Sequence, residues 1–174
     1  VSFNVINGFP DGTFKPDNTL TGEEFIKMII VSMGESVRVL KQGESWSMPY
    51  LEKAFEIGLI PSVDAYWEDK AYTEPITRQE MSYIIFFAEK HKKGEVTYND
   101  TDSFIRTKIL DFEDIQDWLE PYVMSTYGMG IITGYPNGNF GPNDTLSRAA
   151  GSTVVLRYMD ESERKPAYDL ENEP

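Results

Sequence analysis

The chain has 174 residues, 40% of them hydrophobic, with a formal charge of −13 and no cysteine. That is enough apolar material for a packed core, while the charge excludes nucleic acid and anionic membrane surfaces as main partners, since both need a cationic field. Missing cysteine removes disulfides, thiolate metal sites and cysteine nucleophiles together, and no apolar run is long enough to span a bilayer.

The first element is a turn-rich loop. Residues 6–20 (INGFPDGTFKPDNTL) match residues 132–146 (ITGYPNGNFGPNDTL) without a gap, so the chain carries an internal repeat and its function is read per repeat. In both copies a Pro-Asp/Asn-Gly triplet, ending at Gly12 and Gly138, predicts a tight turn. A helix follows, capped by Thr21, with Glu24 three residues on completing a capping box and Phe25, Met28, Ile29 and Met33 forming its apolar stripe. Because Val1 falls inside a repeat, the chain reads as a piece of a longer protein, with its first repeat truncated at the front and any signal peptide left outside.

A connector over 34–45 leads to the second repeat. Trp46, Pro49 and Tyr50, then Phe55, Gly58, Leu59 and Ile60, recur as Trp118, Pro121 and Tyr122, then Tyr127, Gly130, Ile131 and Ile132. Each set predicts a helix, from about Trp46 to Ile57 and from about Asp117 to Met129. Proline is tolerated only in the first turn, and Gly58 and Gly130 serve as C-terminal caps. The loop over 61–75 lacks the tight turn and carries Trp67 and Tyr72. The next helix is capped by Thr77 and Glu80 and has Met81, Ile84, Ile85 and Ala88 on one face. A polar connector over 91–111 is either a surface excursion or a short extra helix. The third repeat ends in a helix capped by Ser147, where Ala150 leaves half the capping box. There Gly151 replaces Phe25 and Met81 on the stripe, permitting close approach or leaving space. Residues 161–174, charged and bounded by proline, are expected to be a loose tail or linker.

The expected organisation is all-α, with repeats over 1–34, 45–90 and 112–160. One helical pair cannot bury its apolar stripe alone, so the three share one core.

The pattern G-[FY]-P-[DN]-G-x-F-x-P-[DN]-[ND]-T-L-[TS], together with Thr77-Arg78-Gln79-Glu80 and Phe112-Glu113-Asp114, resembles S-layer homology (SLH) modules, whose signature is T-R-A-E. The resemblance covers nearly the whole chain, most closely the first and third repeats. It implies a pseudo-threefold helical prism whose inter-repeat grooves bind secondary cell-wall polysaccharide, often pyruvylated, to hold exported proteins on bacterial cells. The signature arginine is present as Arg78 and Arg148 but replaced by Gly22; the signature glutamate is present as Glu24 and Glu80 but replaced by Ala150. The groove built on the first repeat therefore lacks its arginine.

Arg78 and Arg148 also stand out physically. Each follows a helix N-cap, where the positive end of the dipole disfavours a cation by about 0.3–1 kcal/mol when exposed. A ligand carboxylate would compensate, taking a bidentate guanidinium contact and free backbone N–H groups at the helix start; a salt bridge to a nearby acid would do the same. Trp46 and Trp118 either pack internally or line the groove and stack on a sugar ring. Gly8, Gly12, Gly134 and Gly138 allow close backbone approach at the groove edge. Those loops lack the lysine-hydroxyl ending of a phosphate loop, and the Asp11, Asp17, Asn18 run is interrupted by Pro16 with no EF-hand glutamate, so no metal and no cofactor are assigned.

His91 is the sole histidine and sits among lysines, which argues against triad chemistry. The 29 acids include Glu23, Glu113, Asp114 and Asp117, without a pair singled out for glycoside hydrolysis. The expected function is a non-catalytic anchor at the bacterial cell surface. Its rivals are a structural or protein-interaction module with degenerate sugar sites, self-associating through the truncated repeat, and, last, a glycan-processing enzyme.

Overall fold

Every chain segment that repeats the turn-rich loop is followed by a helix whose first N–H groups are spoken for before the helix begins. The computed structural model describes residues 5, 8, 12–64, 70–96 and 102–166. Among them are six α-helices: α1 (Gly22–Ser32), α2 (Met48–Glu56), α3 (Arg78–Lys93), α4 (Asp102–Lys108), α5 (Glu120–Gly128) and α6 (Arg148–Met159). Short 3-10 turns cover Phe112–Asp114 and Glu161–Glu163. The described residues form no strand, only isolated bridges of Thr19 with Ser147 and Thr21 with Pro75. None of their helices is long and apolar enough to cross a membrane. Phe9, Pro10, Asp11 and Trp67, and the chain beyond Pro166, lie outside the described residues.

The chain divides into two compact units, Val1–Ile76 with Thr145–Val155, and Thr77–Asp144 with Leu156–Pro174. The division runs through the third repeat. In the first unit α1 packs on α2, burying Phe25, Ile26, Ile29 and Ile30 with Leu51, Ala54 and Leu59. Leu20, Ile76 and Leu146, which stand just before the three caps, are all buried. Their backbones join: the Leu20 N–H donates to the Leu146 carbonyl at 2.8 Å, and the Ile76 N–H to the Leu20 carbonyl at 3.1 Å. In the second unit α3 packs on α5, with Met81, Ile84, Ile85 and Ala88 facing a core that includes Val123, Ile131, Ile132 and Phe140.

The helix ends follow local chemistry. Glu24 Oε2 accepts from the Thr21 N–H at 3.1 Å while Thr21 Oγ1 accepts from the Glu24 N–H at 3.4 Å, closing the expected box. Glu80 Oε2 accepts from the Thr77 N–H at 2.7 Å. In α6 Ser147 Oγ accepts from the Ala150 N–H at 3.3 Å, the half that alanine leaves.

After α2 and α5, Gly58 and Gly130 take φ of +76° and +70°. The N–H groups of Leu59 and Ile131 then reach back to Ala54 and Thr126 carbonyls at 2.7 and 3.0 Å. That pair of Schellman ends needs a residue free to enter the left-handed region. Both helices are shorter than the sequence predicts at their starts: Ser45–Ser47 and Gln116–Leu119 form turns ahead of Pro49 and Pro121.

Two readings left open by the sequence are resolved. The 91–111 connector contains a helix, α4. Gly151 marks close approach: a Cβ there would lie 2.4 Å from Leu20 Cδ2. One expectation is corrected. Residues 161–166 are not a loose tail, because Arg164 forms a 2.6 Å ion pair with the fully buried Glu89 and the Lys165 N–H donates to the Gly130 carbonyl at 3.1 Å.

Candidate functional site

The three post-loop helices start in one way. In α3 the Arg78 and Gln79 N–H groups donate to the Asp144 and Pro142 carbonyls at 3.0 and 3.2 Å. In α6 the Arg148 and Ala149 N–H groups donate to Asn18 and Pro16 at 2.8 and 3.1 Å. In α1 Gly22 and Glu23 donate to Glu74 and Tyr72 at 3.1 and 2.9 Å. Each helix start is thus satisfied by loop carbonyls at equivalent positions. This corrects the expectation that helix-start N–H groups stand free for a ligand carboxylate: loop carbonyls supply the acceptors that orphan donors require.

The guanidinium groups are engaged as well. Arg78, 7% exposed, donates from Nε to the Phe140 carbonyl at 2.6 Å and from Nη2 to the Thr133 carbonyl at 2.5 Å. Its Cζ stands 4.8 Å from the ring centroids of both Tyr135 and Phe140. Burial lowers its pKa, opposed by Tyr135, Asp144 and Asp111. Arg148, 5% exposed, pairs with Glu24 Oε1 at 2.7 Å, donates to the Phe14 carbonyl at 3.2 Å and lies 5.4 Å from the Phe14 ring centroid. Cation–π contact and charge-assisted hydrogen bonds thus offset the cost of a cation at each helix start.

A cleft of about 300 Å³ opens in the second unit, lined by Asp111, Asp114, Tyr135, Asn139, Asn143 and Asp144 among others. Tyr135 links it to Arg78: its ring faces the guanidinium, and its hydroxyl donates to Asp144 Oδ2 at 3.0 Å. Asp111 holds the loop, with Oδ1 and Oδ2 accepting from the Phe140 and Gly141 N–H groups at 2.6 and 2.7 Å. Gln79, 2% exposed, ties α3 to the same region. It donates to Asn143 Oδ1 at 2.7 Å and accepts from the Gln116 N–H at 3.1 Å. Carboxylates, amides and a half-exposed phenol form a polar surface able to exchange hydrogen bonds with a polyhydroxylated ligand.

The other sequence candidates fall into two groups. Trp46 and Trp118 are each 44% exposed. Trp46 meets Tyr50 at a ring-centroid distance of 6.5 Å. Trp118 donates from Nε1 to Gln116 Oε1 at 2.9 Å and meets the edge of Tyr83 at 6.0 Å. The loop glycines serve the turn itself. A Cβ at Gly8 or Gly134 would meet the Thr13 or Asn139 carbonyl oxygen at 3.0 or 2.9 Å; Gly12 and Gly138 have positive φ. Sequence reasoning missed Asp111 and Gln79. Each adjoins a quoted motif, Asp111 before Phe112 and Gln79 inside the signature, but nothing in its residue type announces the contact it makes.

Six helices and no strand among the described residues define an all-α class. The family model for the S-layer homology domain matches residues 1–26 and 110–150, within the expected first and third repeats. A cellulosome-anchoring protein of Acetivibrio thermocellus is 28% identical over 89% of this chain and 35% of its own length. An amylopullulanase of Thermoanaerobacterium thermosulfurigenes is 26% identical over 92% of this chain. Cell surface glycoprotein 1 of Acetivibrio thermocellus is 22% identical over 89%. The chain spans 9% of the amylopullulanase and 7% of the glycoprotein, so the greater part of each relative lies outside the match. The chain is similar to S-layer homology domains over the matched residues, and to proteins named as cell-surface and cellulosome-anchoring proteins.

Proposed function

We propose that the chain is a non-catalytic anchoring module that holds its parent protein on the bacterial cell wall. It does so by binding an anionic, pyruvylated secondary cell-wall polysaccharide in grooves between repeats packed as a pseudo-threefold helical prism. The observation that carries the anchoring role is the S-layer homology match, joined by alignment along 89% of the chain to a relative named as a cellulosome-anchoring protein. Relatives named as enzymes share this segment while extending far beyond it, which fits an anchor carried beside separate catalytic domains. The acidic substituent is assigned to Arg78. Its guanidinium is held by neutral carbonyls, so a ligand carboxylate reaching it gains a charge-assisted bond. Trp46 and Trp118 offer exposed ring faces for stacking on sugar.

A second reading, a structural or protein-interaction module with degenerate sugar sites, is favoured by two observations. Arg148 is already paired with Glu24, and the cleft lining carries Asp111, Asp114 and Asp144, which repel an anion. Isothermal titration with pyruvylated and depyruvylated wall polysaccharide separates the two, using the wild type, Arg78→Ala and Arg148→Ala. Anionic recognition predicts binding that is weakened by depyruvylation and by Arg78→Ala. Equal binding of both preparations overturns it; binding of neither supports the second reading.

A further inference from the structure

We propose that Glu161–Pro166 is a clasp that carries tension arriving from the C-terminal side directly into α3, sparing the end of α6. The idea rests on the anchoring reading for its purpose, since an anchor is pulled by what it holds, but its test uses no glycan.

The geometry lies entirely within the second unit. After Met159 the chain turns through a 3-10 segment in which Asp160 Oδ1 accepts from the Ser162 N–H at 2.9 Å. Arg164 then folds inward. Its Nη2 stands 2.6 Å from Glu89 Oε1, the Arg side chain 8% exposed and the Glu side chain fully buried. Its Nε donates to the Arg157 carbonyl at 2.9 Å. Lys93 Nζ bridges the same two elements, at 3.1 Å from Glu89 Oε2 and 2.8 Å from Glu161 Oε1. The hydrogen bond to Glu161, and secondarily Glu89, raises the pKa of Lys93. One residue on, the strap crosses Gly130 so closely that a Cβ there would lie 2.1 Å from the Lys165 carbonyl carbon.

Two consequences follow for a chain under load. Pulling Arg164 away strips a buried carboxylate of a charged partner, which is far costlier than breaking an exposed pair. Helix ends fray a residue at a time at little cost. A strap without Arg164 would hand the load to the last turn of α6, which would peel.

The test is single-molecule force spectroscopy on the full chain, held at its two ends, comparing wild type with Arg164→Ala. The clasp predicts an additional low-force release in the variant, about 20 Å long, the extended length of residues 161–166. Because Arg164→Ala leaves the buried Glu89 with Lys93 as its one charged partner among the described residues, at a cost to folding, Glu89→Met with Arg164→Met serves as a second variant, replacing the ion pair by apolar groups. It is expected to keep the wild-type melting temperature and yet show the early release. Force traces matching the wild type in the double variant, or in a folded Arg164→Ala, overturn the proposal.

Discussion

Arg148 Nη1 and Glu24 Oε1 stand 2.7 Å apart, joining the first residue of α6 to the first turn of α1. Glu24 uses its other oxygen, Oε2, to accept from the Thr21 N–H, so one carboxylate closes a helix cap and neutralises an arginine from another repeat. The signature arginine and glutamate, read from sequence as ligand contact and cap, thereby form a single device. Arg78 differs: its guanidinium bonds the carbonyl oxygens of Phe140 and Thr133.

Replacing Glu24 by Gln preserves an acceptor for the Thr21 N–H but removes the charge facing Arg148. Hydrogen bonds to charged groups contribute about 1.5–3 kcal/mol. With the Glu24 side chain 25% exposed, the lower part of that range applies, about 1.5–2 kcal/mol of lost stability. Urea denaturation of Glu24→Gln, Arg148→Met and the double variant measures it. The cycle should show the single losses failing to add; full additivity would mean that the pair contributes nothing.

The connector between α1 and α2 predicts an acid response. Glu44 and Glu52 are both held below their ordinary value of 4.5, first by hydrogen bonds to Arg38 and, for Glu44, next by the Lys41 N–H. A carboxyl depressed in the folded state contributes stability that is present above its unfolded pKa and lost as pH falls through its folded one. The connector is therefore expected to be ordered at neutral pH and to loosen only below about 4.5. Both acids are solvent-accessible, so the effect is local. Amide exchange at Lys41, whose N–H donates to Glu44 Oε2 at 2.9 Å, should accelerate in that window and not in Arg38→Ala, where it is fast throughout.

Much of this architecture was legible because it is written in side chains. Thr21, Glu24, Ser147, Gly58 and Gly130 each act within a few residues of their own position, and the stripes Phe25–Met28–Ile29 and Met81–Ile84–Ile85 face the core as their spacing requires. The joining of helix starts to loop carbonyls was hidden for a physical reason. It runs through backbone groups of Asp144, Asn18 and Glu74, which any residue supplies, so no residue type marks it. Arg164 was read as part of a charged tail because its partner, Glu89, is distant in the chain and only folding brings them together. Asp111 escaped for the same reason, its two acceptors serving Phe140 and Gly141 from a loop with nothing to announce the contact.

Gly151 offers a clean steric test. A Cβ at this position would sit 2.4 Å from Leu20 Cδ2, and Leu20 is fully buried. Gly151→Ala gains helix propensity of up to about 1 kcal/mol but overpacks a buried contact, at about 1–3 kcal/mol. Net destabilisation is expected, read as a lower urea midpoint. Adding Leu20→Ala should recover part of the Gly151→Ala loss relative to Leu20→Ala alone. A stabilised single variant would show that Leu20 moves aside freely.

Trp46 and Trp118 separate packing from recognition. Both are 44% exposed, and the hydrogen bond from Trp118 to Gln116 and its edge contact with Tyr83 fix the indole while leaving part of its surface uncovered. A tryptophan placed for packing loses about 3–5 kcal/mol on truncation to alanine when buried, far more than one whose surface is half in water. If the exposed face stacks on sugar, Trp118→Ala should weaken binding to isolated cell wall by about tenfold, the equivalent of roughly 1.4 kcal/mol, with a melting temperature within a few degrees of the wild type. Trp46→Ala tests the second repeat in the same way, with Tyr50 as its aromatic neighbour. Sedimentation of labelled protein with purified wall gives the affinity, and thermal denaturation gives the stability. The opposite pattern, a large fall in stability with wall affinity intact, would assign both rings to the scaffold.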